Sequence, residues 1–380
     1  MKNILYITTQ DIGISHGIGI KNKIFSQLES FHKNGFTSNL IAFDKGDIVS
    51  IKNIKTRRVI NRSSEIKNKR LSIYKVINNF INTEKIEYIY IRYFFSDPIF
   101  IKTLKKIKSQ QIKILIEIPT YPYTGELPKN IKGDFIKRLD YLYSKKLKKY
   151  VDYIITFSND KEIFEIECIN IENGVKVENL PKKSVSIRNN ELRLIGVANI
   201  SFWHGFDRVI NGIKEYYKEN RESEKIDIYF NIIGDGIEKE KLEKLVVDNK
   251  LSKYIKFKGM MRGKSLDLIF NESDIAIGSL GIHRLGLNSV STLKSKEYFA
   301  RGIPFIYSYK ENFINDNLER YAYKVESNDN PIDMNFLISK HKQNKDGDKI
   351  IREMRQFAEN YLTWDYQVQK IIFKIEDKSN

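Results

Sequence analysis

Residues 291–308 read STLKSKEYFARGIPFIYS and place charged side chains just before a glycine–proline break and an apolar run. The LKSKEYFARG segment has helical spacing, and IPFIYS is typical of a short buried strand. A helix that leads into a buried strand is the repeating unit of a parallel α/β sheet. In such sheets ligands bind at the carboxyl ends of the strands, where helix N-termini favour anions. The stretch therefore predicts both a fold class and a ligand-binding edge.

The same alternation extends in both directions along the chain. The first series of predicted strands is NILYITT, IEYIYIRYF, IKILIEIP and DYIITFS, and the second is LRLIGVAN, IDIYFNIIG, YIKFKG, SDIAIGS and IPFIYS. Amphipathic stretches lie between them, so we predict an α/β protein of two doubly wound, Rossmann-like domains. The polar stretch at 173–190 is the predicted linker, between domains at 1–180 and 190–364.

Composition agrees with two domains and suggests an anionic partner. A chain of 380 residues is long for one core. It has 65 Lys and Arg against 48 Asp and Glu, a formal net charge of +17. Such a charge suits a phosphorylated ligand, an acidic lipid surface or nucleic acid, although a base-composition bias would also enrich lysine.

Several classes of protein are disfavoured by what the sequence lacks. Cys168 is the single cysteine, which excludes an internal disulfide or a cysteine-based zinc site and fits a reducing cytosol. The N-terminal residues have the pattern of a strand and not that of a signal peptide. Nowhere do 18 apolar residues run together, so no transmembrane helix is expected and membrane contact would be peripheral. The DGD at 346–348 lies in a polar stretch that predicts a solvated loop. No GxGxxG follows the first strand. We therefore expect no metal and no cofactor.

An ordered series of short motifs resembles glycosyltransferase family 4, whose members are retaining enzymes of the GT-B fold. The motifs are NGV at 173–175, GVANISFWHGFDR at 196–208, IIGDG at 232–236, KFKGMM at 256–261 and LKSKEYFARGIPFI at 293–306. WHGFDR together with LKxxEYxARGxPF resembles a bacterial subgroup. The resemblance implies two Rossmann-like domains facing an interdomain cleft. The N-terminal domain would bind the acceptor and the C-terminal domain the nucleotide-sugar, with a last helix at 365–380 packing back on the first domain.

The resemblance also implies donor-binding residues in the C-terminal half. By position, Glu297 would accept hydrogen bonds from the nucleotide ribose. The backbone at Thr292 and Leu293 would present N–H groups to the diphosphate, and Lys294 would add a positive charge. Met261 would contact the nucleobase through its main chain. For Glu297 a surface salt bridge with Lys294 or Arg301 is the structural alternative.

Two departures from the family pattern change the expected chemistry. The usual Arg–Lys pair after the first C-terminal strand is replaced by Asn199 and His204, and the first motif glutamate by Ser289. The basic residues His283, Arg284 and Lys294 are candidates to compensate at the diphosphate. We predict His204 and Lys294 as the catalytic pair, with His204 donating a hydrogen bond when neutral and carrying charge when protonated. Packing or capping of the next helix is the alternative for His204.

The N-terminal half offers weaker candidates that follow predicted strands. Gly17 and Gly19 come after the first strand, where glycine allows the backbone to approach a phosphate or sugar. The predicted acceptor-binding residues are Glu117, Tyr121, Tyr123 and Glu126 of EIPTYPYTGE, with His16 and Arg92. An ordinary Pro-Tyr turn, with Glu117 as a buried structural carboxylate, is the alternative.

Together these observations predict a cytoplasmic, metal-independent, retaining hexosyltransferase. It would move a sugar from a nucleotide-sugar, with UDP the expected nucleotide, to an acceptor hydroxyl. The acceptor would be a glycan, lipid-linked or protein acceptor in the assembly of bacterial surface glycans, with an anionic membrane surface as a peripheral partner and no nucleic acid. Two alternatives stay open: a nucleic-acid-binding protein that uses the +17 charge, and a nucleotide-sugar-binding relative without turnover.

Overall fold

The computed structural model describes residues 2–14, 18–123, 131–185, 190–219, 226–344 and 346–377. The chain forms two compact units. The first comprises Met1–Gly174 with Trp364–Asn380, and the second is Val175–Thr363.

The first unit is built on a nine-stranded sheet with the order β4-β3-β2-β1-β5-β6-β7-β9-β8. Its strands are β1 Lys2–Asp11, β2 Phe36–Asp44, β3 Asp47–Lys52, β4 Thr56–Asn61, β5 Tyr88–Arg92, β6 Lys113–Ile118, β7 Tyr153–Thr156, β8 Glu162–Ile163 and β9 Ile166–Asn170. Pairing is parallel from β2 through β1, β5, β6 and β7 to β9. Apolar side chains from both faces of these strands enter two buried clusters, one under each helical layer.

The second unit is a six-stranded, wholly parallel sheet with the order β12-β11-β10-β13-β14-β15. Its strands are β10 Glu191–Val197, β11 Asp227–Ile233, β12 Ile255–Phe257, β13 Ile275–Ile277, β14 Phe305–Tyr307 and β15 Ala322–Lys324. The chain runs outward from β10 to β12, then returns to the other side of β10. The strand order therefore reverses between β10 and β13, the position where doubly wound sheets bind ligands.

Helices cover both sheets. Their bounds are α1 Ile18–Lys33, α2 Lys69–Thr83, α3 Pro98–Ser109, α4 Ile131–Ser144, α5 Phe206–Glu219, α6 Lys239–Asp248, α7 Lys264–Glu272, α8 Leu293–Arg301, α9 Met334–Gln343, α10 Gly347–Tyr361 and α11 Trp364–Asp377. The last helix, α11, packs against α1 and β9 in the first unit. Gly174 of the NGV motif lies against its start, because a Cβ there would come within 2.5 Å of the Trp364 backbone nitrogen.

The predicted α/β class with two parallel-sheet domains is confirmed, but one edge differs. A turn at Lys45 and Gly46, both with positive φ, reverses the chain so that β3 pairs antiparallel with β2, and a second turn at Asn53 and Ile54, also with positive φ, pairs β4 antiparallel with β3. The β4 sequence TRRVIN is mostly exposed and lacks an apolar pattern, so sequence alone gave no strand signal there. The predicted solvated loop at 346–348 is also wrong: Asp346 caps α10 by accepting from the Lys349 N–H at 3.0 Å.

Candidate functional site

Loops at the carboxyl ends of β10, β11 and β12 lie directly against one another. The Ala198 N–H donates to the Ile233 carbonyl at 2.9 Å, and the Gly234 N–H to that of Gly259 at 2.8 Å. Gly234 has φ near +126°, and a Cβ there would lie 1.8 Å from the Ala198 carbonyl oxygen. Gly234 of the IIGDG motif is therefore required for the close approach of the loops after β10 and β11. This approach closes one side of the sheet edge.

His204 ends a 3₁₀ turn, Phe202–His204, in the loop after β10. Its Nδ1 accepts the Ser201 backbone N–H at 3.0 Å, so the ring proton resides on Nε2. Burial, with the positive charge of Lys294 as a second cause, lowers the pKa of His204 to about 3. The ring of His204 is therefore neutral at physiological pH in this arrangement, which favours the hydrogen-bonding form over the cationic form that the sequence analysis had also allowed.

The amino end of α8 lies beyond the carboxyl end of β13. Thr292 is the N-cap and its side chain accepts from the Ser295 N–H, while its own N–H donates to Glu311 at 3.3 Å. Thr292 therefore has its N–H occupied, contrary to its predicted role as a phosphate donor. The N–H groups of Leu293 and Lys294 belong to the first turn, where a helix supplies no carbonyl partner.

Lys294 carries a buried ammonium group at this helix end. Its stem is partly exposed, but its Nζ is inaccessible and has no hydrogen-bond partner among the described residues. Burial lowers its pKa to about 7, against a smaller raising effect of Glu297. The Nζ lies 5.8 Å from the centroid of the Phe206 ring. An unpaired cation at a helix N-terminus favours an anion.

Two positions further along, Lys296 is wholly buried but paired. Its Nζ lies 3.2 Å from Glu311 Oε1, and the Ser295 hydroxyl donates to Glu311 Oε2 at 2.5 Å. Together with the bond from Thr292, these contacts make Glu311 the anchor of the first turn of α8. Sequence reasoning missed this residue. Its signal was a lone carboxylate four positions after the strand Phe305–Tyr307.

Glu297 is held by an ion-pair chain. Arg301 Nε donates to Glu297 Oε1 at 2.8 Å and its Nη1 to Asp267 at 2.7 Å. The salt bridge considered as the structural alternative is thus present, and it uses one carboxylate oxygen. About a third of the Glu297 side chain remains exposed. A fixed, partly exposed carboxylate can still accept hydrogen bonds, so the ribose-binding role stays a prediction.

The remaining donor candidates differ in their availability. Arg284 forms a bidentate pair with Asp207, at 2.9 and 2.7 Å, and also contacts Asp329. These carboxylates raise its pKa. Arg284 thus has its charge neutralised by protein, which argues against compensation at a diphosphate. Ser289 donates its hydroxyl to the Lys310 carbonyl at 3.0 Å.

Met261 and Asn199 flank the same sheet edge. Met261 is half-buried against the core of the second unit, and Asn199 is exposed. Their predicted contacts are main-chain or solvent-facing and are compatible with these positions.

In the first unit Glu117, at the end of β6, is buried and saturated with donors. It accepts from Tyr90 at 2.7 Å, from Gln27 at 2.9 Å and from Arg92, and Lys23 Nζ lies 3.3 Å away. Despite burial, these cations and donors hold the pKa of Glu117 at about 2. The structure favours the structural alternative for Glu117, and Arg92 is occupied by the same ion pair, so neither is free to face an acceptor.

The other acceptor candidates lie beside this network or outside the described residues. Tyr121 and Tyr123 are half-buried in an aromatic cluster with Phe164, and the Tyr123 hydroxyl donates to Asp140. Gly19 lies exposed in the first turn of α1, with open space where a Cβ would be. His16, Gly17 and Glu126 fall outside the described residues.

Neither a metal-binding cluster nor a membrane-spanning helix occurs among the described residues. They hold no cluster of three or more His, Cys, Asp or Glu side chains arranged for a metal ion. Within the same residues, no helix has the length and apolarity needed to cross a bilayer.

Comparison with known proteins identifies the fold. No family model matches the chain. A glycosyltransferase from Rickettsia africae ESF-5 superposes with a TM-score of 0.65 and 15% identity, covering 99% of this chain and 98% of that one. The pneumococcal O-GlcNAc transferase GtfA, solved with UDP and GlcNAc, gives a TM-score of 0.55 and 12% identity over 99% of both chains. The chain has the GT-B fold.

One sequence relative is detectable over part of the chain. A stretch of 132 residues is 30% identical to alpha-monoglucosyldiacylglycerol synthase of Acholeplasma laidlawii. It spans 35% of this chain and 30% of that protein. The similarity is therefore to a glycosyltransferase, over about a third of each chain.

Proposed function

We propose that the protein is a retaining glycosyltransferase that transfers a sugar from a nucleotide-sugar to an acceptor hydroxyl. The observation that carries the proposal is the unpaired, buried Lys294 ammonium at the amino end of α8. A diphosphate would supply the missing counter-charge and accept from the free N–H groups of the same turn. The GT-B architecture and the partial similarity to a glucosyldiacylglycerol synthase support this interpretation.

In the proposed reaction the sugar–phosphate bond breaks while the acceptor oxygen forms the new glycosidic bond. The departing nucleoside diphosphate gains negative charge, and preorganised donors aimed at that charge lower the barrier. Lys294 would supply the positive charge and His204 a neutral Nε2–H. The acceptor proton would pass to the leaving phosphate, so no protein nucleophile and no metal is assigned.

The proposed donor is a UDP-sugar, since one structural neighbour was solved with UDP. The proposed acceptor is a lipid or lipid-linked glycan, because the sequence relative is named as a diacylglycerol glycolipid synthase. We place the reaction in the assembly of bacterial surface glycoconjugates, at the cytoplasmic face of the membrane.

A transfer assay with purified protein, radiolabelled UDP-sugars and lipid acceptors tests the proposal. His204→Ala should lower the transfer rate about ten- to hundredfold, because one donor to the leaving group is lost. His204→Gln keeps an N–H donor of similar reach and should retain more activity. His204→Lys should be poor, because Lys would sit beside Lys294 and could not accept the Ser201 N–H.

The alternative without turnover has its own signature. Asn199 and Ser289 replace charged residues of the family pattern, so binding without catalysis is the competing outcome. UDP-sugars that raise the melting temperature but are neither transferred nor hydrolysed would favour that alternative. If no nucleotide raises the melting temperature, the proposal of a donor site is itself overturned.

A further inference from the structure

Three loops at the carboxyl edge of the second sheet are tied to one another by arginine side chains. They follow β10, β13 and β15 and comprise residues 198–205, 278–292 and 325–333. Because the strand order reverses between β10 and β13, the first two loops border the position where doubly wound sheets bind ligands. The relative placement of these loops therefore determines the geometry of the candidate site.

Backbone hydrogen bonds join the first two loops at His204. The Leu280 N–H donates to the His204 carbonyl at 3.0 Å, and the Gly281 N–H donates to the Trp203 carbonyl at 3.1 Å. Gly205 has φ near +65°, and a Cβ there would lie 2.8 Å from the Leu280 carbonyl carbon. The 3₁₀ turn that carries His204 thus lies directly on the loop after β13.

Arg284, in the loop after β13, binds this turn on both sides of His204. Its Nη1 donates to the Phe202 carbonyl at 2.7 Å. Its Nη1 and Nη2 also donate to the two carboxylate oxygens of Asp207, at 2.9 and 2.7 Å. Its Nε donates to Asp329 Oδ1 at 2.7 Å, in the loop after β15. All three guanidinium nitrogens therefore bind protein groups, and a planar guanidinium fixes the directions of these bonds.

The segment between these contacts supports both predicted catalytic residues. The His204 ring stacks on the Phe206 ring with centroids 5.8 Å apart, and Lys294 Nζ lies 5.8 Å from the same Phe206 centroid. Asp207 follows Phe206 in the first turn of α5. By holding Asp207, Arg284 also restrains the ring that contacts His204 and Lys294.

Arg208, which is buried in α5, links the same loops to the segment after β15. Its Nη1 donates to the Leu280 carbonyl at 2.6 Å, and its Nη2 donates to Asn328 Oδ1 at 3.0 Å. Asn328 immediately precedes Asp329 in the chain. Arg208 therefore keeps Asp329 within reach of Arg284.

We propose that Arg284 is a positioning residue for His204. Through the Phe202 carbonyl and Asp207, it holds the turn in the orientation that presents the His204 Nε2–H to the leaving phosphate. This inference rests on the proposed function. Two carboxylates neutralise Arg284, so its effect on the reaction passes through His204 and not through direct contact with the diphosphate.

A double-mutant cycle tests whether Arg284 acts through His204. Arg284→Met should lower kcat about five- to thirtyfold, because a misplaced catalytic group loses most of its effect. The KM for the nucleotide-sugar should change less than about twofold, because no ground-state contact is removed. In the His204→Ala background the same change should have little further effect, because residues that act as a unit are not additive.

A second variant and a control accompany the cycle. The Asp329 side chain is 70% exposed, so Asp329→Ala removes one partner of Arg284 with little risk to folding. It should lower kcat, and Asp329→Asn, which keeps the Oδ1 acceptor, should restore it. Arg193→Met removes the same charge from β10, where Arg193 pairs with Glu191 at 3.0 Å, and should keep the wild-type kcat. Melting temperatures verify folding, and Asp329→Ala decides if Arg284→Met does not fold.

Histidine nitrogen NMR tests the positioning without transferase activity. The chain has five histidines, and the His204→Ala spectrum identifies the His204 signals. We expect the wild type to show one His204 tautomer, with the proton on Nε2 and a hydrogen-bonded Nδ1. Arg284→Met should shift both nitrogen signals toward the average of the two tautomers.

Three results would overturn the proposal. They are identical His204 nitrogen signals in the wild type and Arg284→Met, a kcat loss that multiplies fully with that of His204→Ala, and a raised donor KM at unchanged kcat. The last result would make Arg284 a donor contact. If the wild type transfers no sugar to any acceptor, the proposed function fails, and the nitrogen signals alone then decide whether Arg284 positions His204.

Discussion

Glu117 in the first unit and Lys294 in the second are both buried ions near the carboxyl end of a parallel sheet, yet their surroundings differ. Glu117 has two hydroxyl or amide donors and two cations around it. Lys294 Nζ has no hydrogen-bond partner among the described residues. A buried ion that protein groups satisfy supports the folded structure. An unsatisfied buried ion destabilises the folded state, and a ligand that pairs with it offsets that cost.

The pKa values express the same contrast. The pKa of Glu117 is lowered to about 2, in favour of its charged form, because partners outweigh burial. The pKa of Lys294 is lowered to about 7, against its charged form, because burial outweighs the raising effect of Glu297. The first shift stabilises the folded state at neutral pH, and the second destabilises it.

The largest expected effect is on stability in the first unit. Glu117→Gln leaves Lys23 and Arg92 buried without their counter-ion and should lower the free energy of unfolding by about 3–5 kcal/mol. Because the folded pKa lies below the unfolded value, this contribution is present above pH about 4.5 and is lost as pH falls through 2. Urea denaturation at several pH values measures both.

A matched control is available on the surface of the same unit. Glu165, with a side chain 70% exposed, pairs with Lys148 at 2.6 Å. Glu165→Gln should change the free energy of unfolding by less than about 1 kcal/mol. Similar effects at the two positions would contradict a structural role for the Glu117 network.

The next largest effects on stability are expected for Lys296 and Lys294, two lysines of α8. Lys296→Met leaves the buried Glu311 without its lysine counter-ion and should destabilise the protein by about 3 kcal/mol. Lys294→Met removes an unsatisfied cation and should stabilise it by on the order of 1–2 kcal/mol at pH 7. Chemical denaturation of both variants checks the opposite signs.

The Lys294 effect also has a defined pH window. The unfolded state binds the proton more tightly than the folded state between pH about 7 and the ordinary lysine pKa of about 10.4. Wild-type stability should therefore rise across this window relative to Lys294→Met. A constant difference between the two proteins would show that the Lys294 ammonium is solvated or paired.

Glu297→Ala probes whether the exposed part of that carboxylate binds a nucleotide. Loss of a hydrogen bond to a charged group should weaken UDP binding by about 1.5–3 kcal/mol, measured by isothermal titration calorimetry. Glu243→Ala, on the exposed side of α6, is the control. Unchanged UDP affinity in a folded Glu297→Ala protein would remove Glu297 from the donor site.

The smallest expected effect is the number of protons taken up when UDP binds. A bound diphosphate would return the pKa of Lys294 toward its ordinary value, because the opposite charge favours the ammonium form. Binding of UDP between pH about 8 and 9 should therefore take up close to one proton. Calorimetry in buffers of different ionisation enthalpy measures this uptake, and Lys294→Met should abolish it. Uptake that persists in the variant would assign the proton to another group.

Much of the architecture was determined by the sequence itself. Apolar runs and helical spacing predicted the parallel strands β1, β5, β6 and β7 of the first unit and β10 to β14 of the second, because burying those side chains requires one periodicity or the other. The parallel strands β2, β9 and β15 were not predicted. The glycine–proline break in ARGIPF indicated the end of a helix, and Gly302 ends α8 with φ near +75°. The polar, exposed β4 had no such pattern, so its pairing depended on the turn between β3 and β4.

Which of the charged residues of α8 is paired was decided by the folded structure. Lys294, Lys296 and Glu297 lie within four positions, yet one is unpaired, one is buried against Glu311 and one is tied to Arg301. Glu311 comes from a separate segment and Arg301 from the next turn of the same helix. The balance of desolvation and pairing depends on distances of a few ångströms. The sequence could locate a charged helix end at the edge of a sheet. Only the folded chain determined which of its charges remains available to a ligand.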